Sequence, residues 1–235
     1  MNILAFDTCL GACSAAILIG EQAIASRRLV WRHERMTTGH AERLMPMIDE
    51  VLREAGRTVG SLDAIAVTEG PGTFTGIRVG VAAARGLALA TGLPIRATTC
   101  LHVMAHQAIA ELGEVIAGRQ LAVCMDGRAG QAWVQVFEGR SGEPVSLARL
   151  MPPEEAVGLC VGDEDVVCIG SAGTALAGAL QGAGRPAEAM LADLQPDARM
   201  LVAIAPSLEV AKPLLPLYLR APDAKPQIDK SLPRA

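Results

Sequence analysis

The chain has 235 residues, a formal net charge of −4, and a composition that is 51% apolar and 20% charged. Such a chain can bury one large core or two small ones and is not a disordered tail. The acidic balance and the few aromatic residues (Phe6, Trp31, Phe74, Trp133, Phe137, Tyr218) argue against a dominant electrostatic grip on nucleic acid and leave little surface for stacking bases.

The start, MNILAFDT, has neither a basic n-region nor a long apolar core, so no signal peptide is expected. No charge-free apolar run reaches membrane-spanning length. Cys9, Cys13, Cys100, Cys124, Cys160 and Cys168 include no CxxC pair, and several lie in apolar segments, where a thiol packs as a small hydrophobe. A cytoplasmic protein with reduced thiols is the expectation.

In chain order, residues 2–6 predict a buried strand that ends at Asp7. Residues 12–19 predict a second strand, Gly20-Glu21 a hairpin turn, and residues 22–31 a third strand with a more polar face. Residues 40–54 repeat at helical spacing, with Leu44, Met47, Ile48, Val51 and Leu52 in one stripe and Gly56 as the stop. Residues 62–67 read as the fourth strand and residues 95–98 as the fifth. Between them, residues 76–91 predict a helix with Gly76, Gly80, Ala84 and Ala88 four apart on one face, where another backbone can pack closely. Residues 99–112 are again helical.

After Arg119 the pattern restarts. Residues 121–125 are a strand, 126–130 a turn, 131–138 an alternating strand and 166–169 another strand that leads through Gly170-Ser171-Ala172-Gly173 into a helix. Residues 182–196 read as irregular and 198–212 as a helix. The tail after Tyr218, with Pro222, Pro226 and Pro233, is expected to fray. Both halves open with a strand-turn-strand that carries a terminal Asp, a sign of duplicated lobes. An α/β fold is expected, divided into an N-terminal lobe at 1–112 and a smaller C-terminal lobe at 113–235.

Asp7 stands at the carboxyl end of the first strand, where α/β sheets bind ligands. It reads either as a contact for an anion or Mg²⁺, or as a turn residue that accepts backbone N–H groups. Asp126 is its counterpart in the second half. The loop at 70–76 is the strongest local signal. Gly70 and Gly72 can take positive φ, Pro71 stiffens the turn, and Thr73 or Thr75 can cap the following helix. A helix start there favours negative charge. No Lys follows the last Gly as in a Walker loop, although Arg78 could substitute in part, and a tight connection with no ligand is the other reading. His102 and His106 have chelating spacing but no third ligand, so no metal is assigned. Ser171 lacks a nucleophile elbow, and no base is assignable to Cys9 or Cys100.

The segments ILAFDT, HAERLMPMIDEVLREAG, DAIAVTEGPGTFTGIRVGVAAARGLA and PLYLR closely resemble the bacterial TsaB (YeaZ) family. The resemblance is strong over the first hundred residues. It implies two ribonuclease-H-like lobes of the actin, sugar-kinase and Hsp70 group. It also implies a non-catalytic partner of TsaD, the enzyme that transfers a threonylcarbamoyl group to N6 of adenosine 37 in tRNAs reading ANN codons, with the ATPase TsaE joining the complex. The partner surface carried over is His40, Glu42, Leu44, Met45, Met47 and Ile48 on one helix and Arg78, Val79, Val81, Ala82 and Arg85 on the next, with self-association through the same helices. Asp7 and Thr8 are the phosphate-loop remnant, and Gly70, Gly72 and Thr73 remain nucleotide or anion candidates. The resemblance further implies that the chain requires no cofactor of its own, that ATP and Mg²⁺ can act at the level of the complex, and that tRNA contact is indirect or minor. Two rival readings remain: a nucleotide-dependent phosphoryl or acyl transferase using Asp7 and Asp126, and a protease, for which no Ser-His-Asp or HExxH set is present.

Overall fold

A computed structural model describes residues 1–20 and 28–219. The expected turn at Gly20-Glu21, the start of the third strand at 22–27 and the tail from residue 220 onward therefore lie, in part or whole, outside the described residues.

The first sheet contains β1 (Ile3–Asp7), β2 (Ala12–Ile19), β3 (Arg28–Arg35), β4 (Ala64–Thr68) and β5 (Ile95–Thr98) in the order β3-β2-β1-β4-β5. β1 is central. It pairs antiparallel with β2, with Phe6 opposite Ala15, and parallel with β4, with Phe6 opposite Val67. All five β1 residues are buried, as an unbroken apolar run flanked on both sides requires. β3 runs to Arg35, beyond the expected end at 31, because β2 is paired along its whole length, from Ala12 opposite Arg35 to Ile19 opposite Arg28.

The second sheet repeats this plan. β6 (Gln120–Asp126), β7 (Ala132–Glu138), β8 (Arg149–Met151), β9 (Val166–Ile169) and β10 (Ala187–Met190) lie in the order β10-β9-β6-β7-β8, again with an antiparallel meander on one side of the first strand and parallel strands on the other. β8 and β10 fall where no strand, or only irregular chain, is expected. Each is a short edge strand with one neighbour, so neither needs the apolar alternation that marks an inner strand.

Two helices, α1 (His40–Ala55) and α2 (Phe74–Thr91), pack their inner residues with Leu4 and Phe6 of β1. On the opposite face, Val103 of α3 (Cys100–Leu112) and Ala198, Leu201 and Val202 of a late helix cover Ile3 and Ala5. α3 also brings Leu101, Met104 and Ala108 into one core with Leu121, Val123 and Phe137 of the second sheet. The second lobe adds α4 (Pro153–Ala156) and α5 (Gly173–Gly182), and the late helix is α6 (Ala198–Ile204).

α6 is shorter than the helix expected at 198–212. A 3-10 turn at Ala205–Ser207 contains Pro206, which has no N–H to continue the ladder. The chain then runs beside β5, where Val210 bridges Arg96 and the Ala211 N–H donates to the Ile95 carbonyl at 2.8 Å. Residues 198–217 thus follow the second sheet in sequence but pack on the first, a return that a division at residue 112 does not contain. Among the described residues, no helix is long and apolar enough to cross a membrane.

Candidate functional site

The loop between β4 and α2 is held by the chain itself. Thr73 N–H donates to the Cys9 carbonyl at 2.8 Å, Cys100 N–H to the Gly70 carbonyl at 2.8 Å, and Leu217 N–H to the Glu69 carbonyl at 2.7 Å. Thr73 caps α2, its hydroxyl accepting from Gly76 N–H at 3.1 Å. The glycines serve these contacts. A Cβ on Gly72 would overlap the Cys9 carbonyl, one on Gly76 would overlap the Thr8 carbonyl, and one on Gly80 would stand 2.9 Å from Thr8 Oγ1. Gly70, at φ +123°, makes way for the Leu217 carbonyl, 2.8 Å from where its Cβ would be. The close approaches suggested by the motif are therefore to the β1–β2 turn and to the C-terminal strap.

Asp7 is fully buried. Thr68 Oγ1 donates to its Oδ2, and Cys9 N–H donates to Oδ1 at 3.2 Å, which is the turn geometry rather than an open ligand position. Burial pushes its carboxyl up to about 7, against the lowering effect of those two bonds. Thr8 is equally buried, its hydroxyl donating to the Gly76 carbonyl at 2.7 Å. Asp126 is exposed at the end of β6, its N–H bonded to Ser171 Oγ at 2.9 Å. A buried Asp7 and an exposed Asp126 do not share a solvent-facing surface. Among the described residues, no group of three or more His, Cys, Asp or Glu is placed to hold a metal ion.

His102 and His106 are half-buried on α3, their Nε2 atoms 3.1 Å apart, with His102 Nδ1 2.7 Å from Thr98 Oγ1. Burial pushes His102 down to about 4, with the His106 charge adding to the shift. Burial lowers His106 as well, and the His102 ring stacks on Phe137, ring centroids 5.7 Å apart.

α1 and α2 lie side by side, and their periodicity divides the expected partner residues. Leu44, Met47 and Ile48 of α1 and Val81 of α2 are in the core. His40 is buried too, its Nε2 3.1 Å from the Leu10 carbonyl, so it ties α1 to the β1–β2 turn. These five side chains are corrected from surface to core: at 100° per residue they fall on the stripe that faces β1. Val79 is half-buried. Glu42, Met45, Arg78, Ala82 and Arg85 are exposed. Sequence reasoning missed Phe74 and Leu89, exposed on the same side of α2 at 57% and 89%. Their signal was the spacing 74, 78, 82, 85, 89, an outer stripe of α2.

α2 contains no Asp or Glu, whereas the exposed side of α1 carries Glu42 and Asp49. Arg43 of α1 is engaged by Glu34 at 2.6 Å and Glu50 at 2.7 Å, and it holds both carboxyls below the usual range. The uncommitted face is thus a small-residue and apolar strip on α2 with basic residues along it.

Two lobes of one strand order, a sealed glycine loop and an open helix face define a duplicated α/β protein whose exposed features suit association. Residues 34–144 match the family described as TsaD: tRNA N6-adenosine threonylcarbamoyltransferase. The chain is 32% identical to an uncharacterized protein of Mycobacterium tuberculosis over 230 residues, 96% of this chain and 94% of that one. It is 35% identical to the Escherichia coli tRNA threonylcarbamoyladenosine biosynthesis protein TsaB over 143 residues, 60% of this chain and 58% of that one. The solved structure of YeaZ from Pseudomonas aeruginosa superposes with a TM-score of 0.75 at 29% identity, covering 93% of this chain and 99% of that one. In sequence and in structure the chain is homologous to the TsaB (YeaZ) family.

Proposed function

We propose that this chain is a non-catalytic subunit that binds and activates TsaD for N6-threonylcarbamoylation of adenosine 37 in tRNAs reading ANN codons. Its lobes are of the ribonuclease-H-like kind found in the actin, sugar-kinase and Hsp70 group, a reading supported by the shared strand order of the two sheets. It acts in the cytoplasm, with TsaE joining the complex. It needs no cofactor of its own, ATP and Mg²⁺ acting at the level of the complex, and tRNA contact through it is indirect or minor. The observation that carries the reading is the contrast between Asp7, sealed at zero exposure, and the open α2 face around Ala82.

Activation follows if TsaD docked on this face favours its working conformation, since a partner shifts an equilibrium only by its differential affinity for the two states. Ala82 is the position to test, because it is exposed and small. Val81 is unsuitable, since a charge there enters the core. Ala82→Arg is expected to weaken co-elution with TsaD by about tenfold or more, because a long side chain at this small, exposed position holds off a closely packed partner, with an unchanged melting temperature. Co-elution of the variant at wild-type affinity would remove this face from the account.

A further inference from the structure

Phe74 and Tyr218 are exposed aromatic residues that meet each other, ring centroids 5.7 Å apart and planes at 28°. The Arg78 guanidinium carbon lies 3.5 Å from the Phe74 ring centroid, and Arg78 Nε donates to Tyr218 Oη at 2.7 Å. The stack and the bond fix a long cationic side chain that otherwise loses rotamer freedom on binding. Only one of the five guanidinium N–H groups is used in that bond, so the fork can still meet a carboxylate.

Tyr218 reaches this place from the far end of the chain. The strap runs beside β5, bonds through Ala211 to Ile95 and through Leu217 to Glu69, and passes Gly70 where a side chain would block it. Gly70 and the strap therefore serve one result, which is the placement of a Tyr ring on the first turn of α2. The absence of acids from α2 and the presence of Arg78 and Arg85 on its exposed side select an acidic occupant. Exposed Phe74 and Leu89 on the same stripe select apolar side chains beside those acids.

We propose that Tyr218 is a positioning residue of the docking face: it holds Arg78 over Phe74 so that the guanidinium receives a carboxylate of the partner, and the two rings form the apolar anchor beside it. This rests on the reading that the α2 face docks on TsaD, and it adds the strap and the chemistry of the contact.

The test is calorimetric titration of the full-length chain with purified TsaD at two salt concentrations. Tyr218→Phe keeps the ring and loses Oη, and is expected to weaken binding about threefold; Tyr218→Ala and Phe74→Ala about tenfold; and Arg78→Glu about thirtyfold or more, in line with aromatic and Arg anchors at interfaces. Wild-type affinity is expected to fall with salt, and Tyr218→Ala to flatten that dependence, because the guanidinium is no longer held in place. A purely structural role for Tyr218 would lower the melting temperature and leave the salt dependence unchanged. Wild-type affinity in Tyr218→Phe, Tyr218→Ala and Phe74→Ala, with binding still lost in Ala82→Arg, would overturn this inference and leave the docking reading standing. No binding by the wild-type chain would overturn both.

Discussion

Asp7→Asn is expected to stabilise the protein by about 4 kcal/mol at pH 8 and to leave it nearly unchanged at pH 4, the magnitude following from roughly three pKa units at 1.36 kcal/mol each. The Asp7 carboxyl has its folded value raised from 3.8 to about 7, mainly by desolvation. A raised folded value means that the folded state holds the proton more tightly than the unfolded chain does. The associated stability is complete below about pH 4 and is lost as pH rises through about 7. Asn keeps the neutral pattern: its Oδ1 can accept from Cys9 N–H, and its Nδ2 can donate to Thr68 Oγ1, which now lies against Asp7 Oδ2. Urea midpoints of both proteins from pH 4 to pH 8 check this. The two curves should converge at the acid end and separate as pH rises toward neutrality, and a pH-independent gap would mean that the Asp7 carboxyl ionises at the same pH in the folded protein as in the unfolded chain.

Gly76→Ala and Gly86→Ala are expected to act in opposite directions on the same helix. At Gly76 the added methyl overlaps the Thr8 carbonyl and approaches the Thr73 hydroxyl at 2.6 Å; Thr8 is anchored by its own hydroxyl, which donates to the Gly76 carbonyl, and the Thr73 hydroxyl accepts from Gly76 N–H. Neither β1 nor the helix start can move without opening the core, so a loss of about 3 kcal/mol or more is expected from overpacking. At Gly86, exposed in α2, nothing lies within 4 Å of the new Cβ. Alanine there should add about 0.5–1 kcal/mol through helix propensity and a less flexible unfolded chain. Thermal denaturation of both variants reads the contrast. A mild effect at Gly76 would show that the glycine motif is not serving the approach of β1.

The inner strands and long helices were legible because each carries a strong local pattern. β1 is an apolar run, β2 is bounded by turn residues, and α1 has an unmistakable buried stripe from Leu44 to Leu52. β8 and β10 were not legible, since an edge strand of three or four residues is defined by its neighbour rather than by its own side chains. The glycine loop was found but its purpose was open. What Gly70, Gly72 and Gly76 accommodate lies at Leu217, Cys9 and Thr8, and no local pattern connects positions so far apart in the chain.

The helix face shows the same division between local and distant information. His40, Leu44, Met47 and Ile48 are adjacent in sequence to Glu42 and Met45, yet the helical period sends the first four into the core and leaves the other two outside. Val81 and Ala82 differ by one position and part in the same way. Arg78 was a candidate from the resemblance, but its setting was hidden, because the Tyr218 ring that fixes it comes from a strap 140 residues later in the chain.

The most direct measurement is the rate of tRNA threonylcarbamoylation by TsaD and TsaE supplied with the carbamoyl-adenylate donor, with wild-type chain, with Ala82→Arg, and with no chain added. High turnover is expected with the wild-type chain, a rate near the no-chain background with Ala82→Arg, and no turnover by the chain alone. Equal rates with and without the chain, or turnover by the purified chain that disappears in Asp126→Ala, would contradict it.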